Sequence, residues 1–365
     1  MALLKLSSTL STSAVSVVLS PPRSSSPASL TAHSNALSWK RSSLPSQASP
    51  LLSTMSSRAL PSGVASPCAS QATGVSAKLA DDSSAPHETK GVKVQSGEGG
   101  LTKVVLSSPD GSNEAQVYLF GACITSWKTS DGKDLLFVRP DAIFTGQKPI
   151  SGGIPHCFPQ FGPGPIQQHG FARNMLWVIE SAQSDDETTT LVLSLQPSDY
   201  SRKIWLHEFS NTYKIVLGVD KLTTELTVKN TDTNPFSFTA ALHSYFRADI
   251  SKTSVAGLKG CTKLDKPYED PANPIQGLED RNVIEFPGFV DTMYKNTPDE
   301  LLLDNGLGTK ISVRNDGWTD AVLWNPHLTL NSSYKDFVCV ENAQLVPVEL
   351  QPGESWTAKQ YLNPV

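Results

Sequence analysis

The first 80 residues contain no aspartate or glutamate; the first carboxylate in the chain is Asp81. Elsewhere too the 365-residue sequence is marked by what it omits. No apolar run approaches the roughly 18 residues that cross a bilayer, which argues against a membrane-embedded role. There is no GxGxxG or P-loop signature, so a nucleotide site on a helix N-terminus has no support. No segment carries a long 3.6-residue apolar period, so long amphipathic helices are not expected. The five cysteines, Cys68, Cys123, Cys157, Cys261 and Cys339, are widely spaced and form no CxxC pair. They read as reduced thiols of an intracellular compartment. Cys157 is read as an inert buried thiol, with redox sensitivity as the alternative.

The missing acids create a charge asymmetry. Lys5, Arg23, Lys40, Arg41, Arg58 and Lys78 give residues 1–80 a formal +6, so against the total of −5 the remainder carries −11. Serine is abundant in this segment, and an acid-poor, Ser-rich leader has the composition of an organelle transit peptide. The expectation is therefore a disordered transit peptide over 1–80, addressed to the chloroplast, with the mitochondrion second. A plain solvating tail is the alternative. Residues 81–100 read as a polar linker, and 101–365 as one catalytic domain. This acidic remainder has no basic cluster interleaved with aromatics, so nucleic acid is not an expected partner.

What is present past residue 100 is β-structure. Runs such as "TTTLVLSLQP", "YKIVLGVDKLTTELTVKNTD" and "FSFTAALHSYF" are rich in Val, Ile, Thr and aromatics and are bounded by Asp, Asn, Gly and Pro. The 38% hydrophobic content suffices for a sizeable core. The fold class expected is all-β, a large antiparallel sandwich.

Three islands place titratable side chains beside strand ends. The first is "SGGIPHCFPQFGPGPIQQHGFARN", Ser151 to Asn174, with five glycines and four prolines around His156, Gln168, His169 and Arg173. Such a segment makes a rigid, non-helical wall for a small polar ligand. The second is "ALHSYFR", carrying His243, and the third is "VCVENAQ", carrying Glu341. Taken singly, His243 reads as a core histidine, Glu341 as a solvated strand end and Arg173 as a surface ion-pair partner. Together, an imidazole and a carboxylate with ordinary pKa values of about 6.5 and about 4.3 make an acid/base pair. His156 and His169 are thirteen apart across prolines, with neither an HExxH motif nor a carboxylate cluster, so no metal site is expected.

Taken in order, "GGIPHCFPQFGP", "QHGFARN" with the nearby Trp177, "LHSYFR", "VDTMY", "WNP" and "VCVEN" resemble the hexose-6-phosphate mutarotase branch of the aldose 1-epimerase family, from Lys103 to Tyr361. The resemblance implies a galactose-mutarotase-like sandwich that interconverts the α and β anomers of a hexose phosphate without cofactor or metal. It implies His243 as general acid and Glu341 as general base. It also implies that Gln168, His169 and Arg173 hold the sugar and its phosphate and that Asp291 contacts sugar hydroxyls. Related sequences often have arginine at the position of Ser151; Lys148, Arg173 and Lys203 are candidates to compensate. Trp177, Trp324 and Phe161 are candidates for a sugar-facing apolar surface, with core packing as the alternative for each. A non-catalytic sugar-binding sandwich and a mutarotase for a free aldose are the alternatives, and oligomeric state is not legible.

Overall fold

The computed structural model describes residues 89–365 except 331, and within these the chain is almost entirely β. The expected transit peptide lies outside the described residues. The strands form antiparallel sheets of four, eight and nine strands. Alternation drives their formation: Phe209–Leu217 and Leu222–Asn230 bury every second residue, which makes each a half-buried ribbon. The two pair in register from Phe209↔Asn230 to Leu217↔Leu222.

The four-stranded sheet differs from expectation at its start. Val92–Ser96, inside the segment read as a linker, is a strand paired with Thr102–Ser107. Val92 and Val94 alternate with Lys93 and Gln95, and pairing satisfies the backbone groups that a linker would leave to water. A turn forms at Pro109-Asp110-Gly111: Asp110 Oδ1 accepts from Ser108 Oγ at 2.6 Å and from the Ser112 N–H at 3.1 Å. Gly111 supplies the positive φ of 75°.

The eight-stranded sheet positions the site. At its centre Phe337–Leu350 pairs with Asp320–Asn325 on one side and Phe236–Leu242 on the other. The central strand sorts its side chains by parity. Val338 and Val340 enter the main core shared with Leu226, Val228, Ala358 and Leu362 of the nine-stranded sheet. Phe337 and Cys339 join Phe137 and Tyr245 on the opposite face. Glu341 falls on that second face, away from the inter-sheet core.

Candidate functional site

The register brings the acid and base together. Leu242 pairs with Asn342 and Tyr245 with Cys339, so counting inward sets His243 opposite Glu341. Directly opposed residues of antiparallel strands have Cβ atoms about 5 Å apart. His243 Nδ1 lies 3.4 Å from Glu341 Oε1. Both side chains are almost wholly enclosed, His243 at 9% and Glu341 at 2% exposure.

The Gly/Pro stretch holds this floor from one edge, as a wall should. The N–H of His243 donates to the Pro155 carbonyl at 3.0 Å and that of Tyr245 to the Gly153 carbonyl at 2.8 Å. Gly153 is required there: its φ is 68°, and a Cβ would stand 2.1 Å from the Ile124 carbonyl oxygen. Aromatic rings fix the imidazole. Tyr245 stacks on it with centroids 4.8 Å apart, and Trp324 meets it edge-on at 5.7 Å.

The remaining expected residues converge around the pair. The ring of His169 lies 5.5 Å from that of His243, and its Nδ1 accepts from the Gly162 N–H at 3.2 Å. Arg173 donates through Nη2 to the Gln168 carbonyl at 2.9 Å, which ties the exposed Gln168 backbone to the site's cation. Asp291, on Val290–Lys295, pairs with Lys266 Nζ at 3.5 Å. Its register partner Trp324 is in turn opposite Cys339, so Asp291 shares the face of Glu341.

Burial sets the electrostatics. It pushes the His243 pKa well below the usual imidazole value, and the neighbouring His169 and Arg173 act in the same direction. It pushes the Glu341 pKa well above the usual carboxyl value, reinforced by Asp291 and opposed by Lys266 and Arg173. Both shifts favour the neutral forms of the two groups. Carboxyl with neutral imidazole, and carboxylate with imidazolium, differ only in where one proton sits.

Lys266 and Arg139 escaped the reading of the sequence. Both stand in turn-like contexts, "LDKPYED" and "FVRPDA", that resemble ordinary solvated loops. The N–H of Arg139 donates to the Ser151 carbonyl at 2.9 Å, which puts a cationic residue on the segment bridged to the one carrying Ser151. Its guanidinium is paired with Asp141, through Nε at 2.9 Å and Nη2 at 2.5 Å. Of the cations considered as compensation for Ser151, Arg173 is the one whose charge acts on the acid/base pair, whereas Lys148 and Lys203 are exposed. Trp177 is a core residue, 1% exposed, with Nε1 donating to the Ala172 carbonyl at 3.1 Å. Trp324 and Phe161 are half-buried beside His243 and His169. Cys157 is fully buried and its thiol is held protonated by desolvation.

Cys339 Sγ, a ring nitrogen of His243 and a carboxylate oxygen of Glu341 lie within 4.8 Å of one another. This donor set suits a metal ion poorly. Burial raises the Cys339 thiol pKa well above its usual value, and Arg173 and Lys266 place two cations near Glu341. A dication would have to displace a thiol proton against that charge.

A sandwich whose outer face carries a buried imidazole and carboxyl pair ringed by polar side chains has the architecture of a sugar mutarotase. Residues 103–363 match the Aldose 1-epimerase family model. A protein of Cenchrus ciliaris is 36% identical over 286 residues, covering 73% of this chain and 85% of its own. One of Escherichia coli K12 is 33% identical over 257 residues, covering 67% and 83%. Both bear the name "Putative glucose-6-phosphate 1-epimerase". A crystal structure from Salmonella typhimurium, titled a "putative mutarotase", superposes with a TM-score of 0.68 at 28% identity, over 76% of this chain and 95% of that one. A galactose mutarotase-like protein from Clostridium acetobutylicum shares the fold at a TM-score of 0.62 and 14% identity, over 75% and 98%. The chain belongs to the aldose 1-epimerase family and is an isomerase of the mutarotase type.

Proposed function

We propose that the protein interconverts the α and β anomers of a hexose 6-phosphate, glucose 6-phosphate foremost, by acid/base opening and closure of the pyranose ring. The observation that carries this reading is the 3.4 Å approach of His243 Nδ1 to Glu341 Oε1 on a desolvated floor. Glu341 as carboxylate takes the proton of the C1 hydroxyl while His243 as imidazolium gives its proton to the ring oxygen. The C1–O5 bond breaks and C1 becomes the aldehyde carbon. Rotation about C1–C2 presents the other carbonyl face, and closure runs the two transfers in reverse.

The proton inventory supports these roles. Ring opening takes the pair from carboxylate and imidazolium to carboxyl and neutral imidazole, the arrangement that burial of both groups favours. The pair's proton count is unchanged by the step, and closure restores the starting state. Each positioned group can contribute about 10²- to 10⁴-fold. Asp291 is suited to accept from sugar hydroxyls, and Gln168 and His169 to border the ring. Arg173, Lys266 and Arg139 supply positive charge for the phosphate, and holding a remote phosphate positions C1. We further propose that residues 1–80 address the chain to the plastid, on the strength of their acid-free, Ser-rich composition.

The test is anomer exchange of glucose 6-phosphate followed by NMR against the spontaneous rate, with glucose and galactose in parallel. The wild type should accelerate exchange, and His243→Ala or Glu341→Gln should lower kcat by about 10²-fold or more with circular dichroism unchanged. A wild type that binds the sugar phosphate without accelerating exchange would establish the non-catalytic alternative. Acceleration confined to unphosphorylated sugars would overturn the phosphate assignment.

A further inference from the structure

Each of the two reacting residues is followed in sequence by a buried polar one, Ser244 after His243 and Asn342 after Glu341. Because side chains alternate along a strand, Ser244 and Asn342 point away from the site and into the space between the eight- and nine-stranded sheets. That space is otherwise lined by Leu242, Val338 and Val340 from one side and Leu226, Ala358 and Leu362 from the other. A polar group in such a place costs stability unless it is paired.

Both are paired with one residue of the opposite sheet. Gln360, on the strand Ser355–Pro364, is fully buried, and its Nε2 donates to Ser244 Oγ at 3.0 Å and to Asn342 Oδ1 at 2.5 Å. One carboxamide nitrogen has two N–H groups, so this geometry spends both. Asn342 Nδ2 in turn donates to Asn315 Oδ1, and Asn315 is the register partner of Gln360 on the neighbouring strand. The nine-stranded sheet thereby grips the two residues adjacent to the acid and the base.

We propose that Gln360 is a positioning residue that sets the spacing of His243 and Glu341 through the core, from the face of the sheet opposite the substrate. The proposal rests on the acid/base reading of that pair. Its physical content is a constraint at the stretch beside the reacting pair where this strand pairing lacks a full ladder. The regular pairing of Phe236–Leu242 with the central strand ends at Leu242↔Asn342 and resumes at Tyr245↔Cys339. Between them a single backbone bond, Val340 N–H to the Ser244 carbonyl at 3.2 Å, crosses the gap. Gln360 supplies the second tie, and it joins the His243 segment to the Glu341 strand through a rigid neighbour rather than along the gap itself.

The distinguishing experiment uses Gln360→Met, which keeps length and volume but removes both donors, and the triple variant Gln360→Met with Ser244→Ala and Asn342→Leu. In the single variant kcat for glucose 6-phosphate anomer exchange should fall about 10- to 100-fold with KM within about twofold, the loss expected from a displacement near 1 Å in a reacting pair. The triple variant removes both partners that Gln360→Met strands and should recover part of the lost thermal stability, Asn315 being the one member of the buried polar set that remains. It should not recover kcat. The His243 imidazole resonance gives a readout independent of turnover: its apparent pKa should move toward 6.5 in both variants. Recovery of kcat together with stability, or an unmoved His243 titration in a folded single variant, would reduce Gln360 to a packing role and overturn the proposal. A wild type inactive on every hexose would instead sink the mutarotase reading, while the His243 titration would still decide whether the clamp exists.

Discussion

His156 ties the stability of this fold to pH, and the size of the effect can be worked out. Its ring is 1% exposed, stacked on Trp177 at 5.0 Å and edge-on to Tyr213 at 4.2 Å. Burial lowers its pKa from 6.5 to about 3, opposed only in part by the backbone of Ala122, which makes no well-formed hydrogen bond with either ring nitrogen. In the unfolded chain the same imidazole takes up a proton near pH 6.5. Between these values the unfolded state binds one more proton than the native state, so stability falls as pH drops below 6.5, by about 1.4 kcal/mol per pH unit. From pH 6.5 to 4.5 the cost from this residue is about 2.5 kcal/mol, a substantial part of the 5–15 kcal/mol typical of a domain. Carboxylates such as Asp131 and Asp232, whose pKa values are lowered to about 2, also withdraw stability on acidification, but at lower pH. The comparison is therefore between wild type and His156→Phe, which keeps an aromatic ring and has nothing to protonate. Urea unfolding followed by tryptophan fluorescence at pH 7 and pH 4.5 should show the wild type losing about 2.5 kcal/mol more than the variant. Parallel losses would refute the claim that this ring is held neutral by desolvation.

The cations around the pair make a second prediction, that Arg173→Met or Lys266→Met should raise KM for glucose 6-phosphate about tenfold or more and affect glucose less, only through the charge these cations exert on His243 and Glu341. Equal effects on both sugars would place these side chains at the ring rather than at the phosphate. For the leader, a fluorescent protein fused to residues 1–80 should accumulate in plastids of plant cells, and identical distributions with and without the segment would remove the address.

How much of this was legible depends on the range of the interaction that decides each feature. Strands were legible where alternation is clean, as in Phe209–Leu217 and Leu222–Asn230, because burial of one face is written into every second residue. Val92–Ser96 reads as linker because five residues between glycines carry too little pattern to outweigh their charge and polarity; only its partner strand makes it a strand. The one-and-a-half-turn helix Asp199–Ile204 is likewise too short to show a period. Its signal is the cap, where Ser198 Oγ accepts from the Ser201 N–H at 3.3 Å and Ser201 Oγ accepts from the Ser198 N–H at 2.8 Å. Lys266 follows the strand Thr262–Asp265 and Arg139 is tied to the Ser151 segment by an isolated bridge between Val138 and Gly152, pairings that no local window contains.

The site itself turns on register. His243 and Glu341 are almost a hundred residues apart, and the sequence offered each as plausible on chemistry alone; what makes them a pair is that Leu242 meets Asn342 and not its neighbour. A slip of one residue along the central strand would turn Glu341 into the inter-sheet core beside Leu226 and Leu362 and expel Val340 to the outer face. A carboxylate buried there without a partner would cost several kcal/mol, and Gln360 would stay in the core without Asn342. The polar residues flanking the reacting groups therefore select, among the registers that an all-apolar strand would tolerate, the one in which an imidazole and a carboxyl face the same small volume. In this sheet the specificity of folding and the geometry of the site are set by the same few hydrogen bonds.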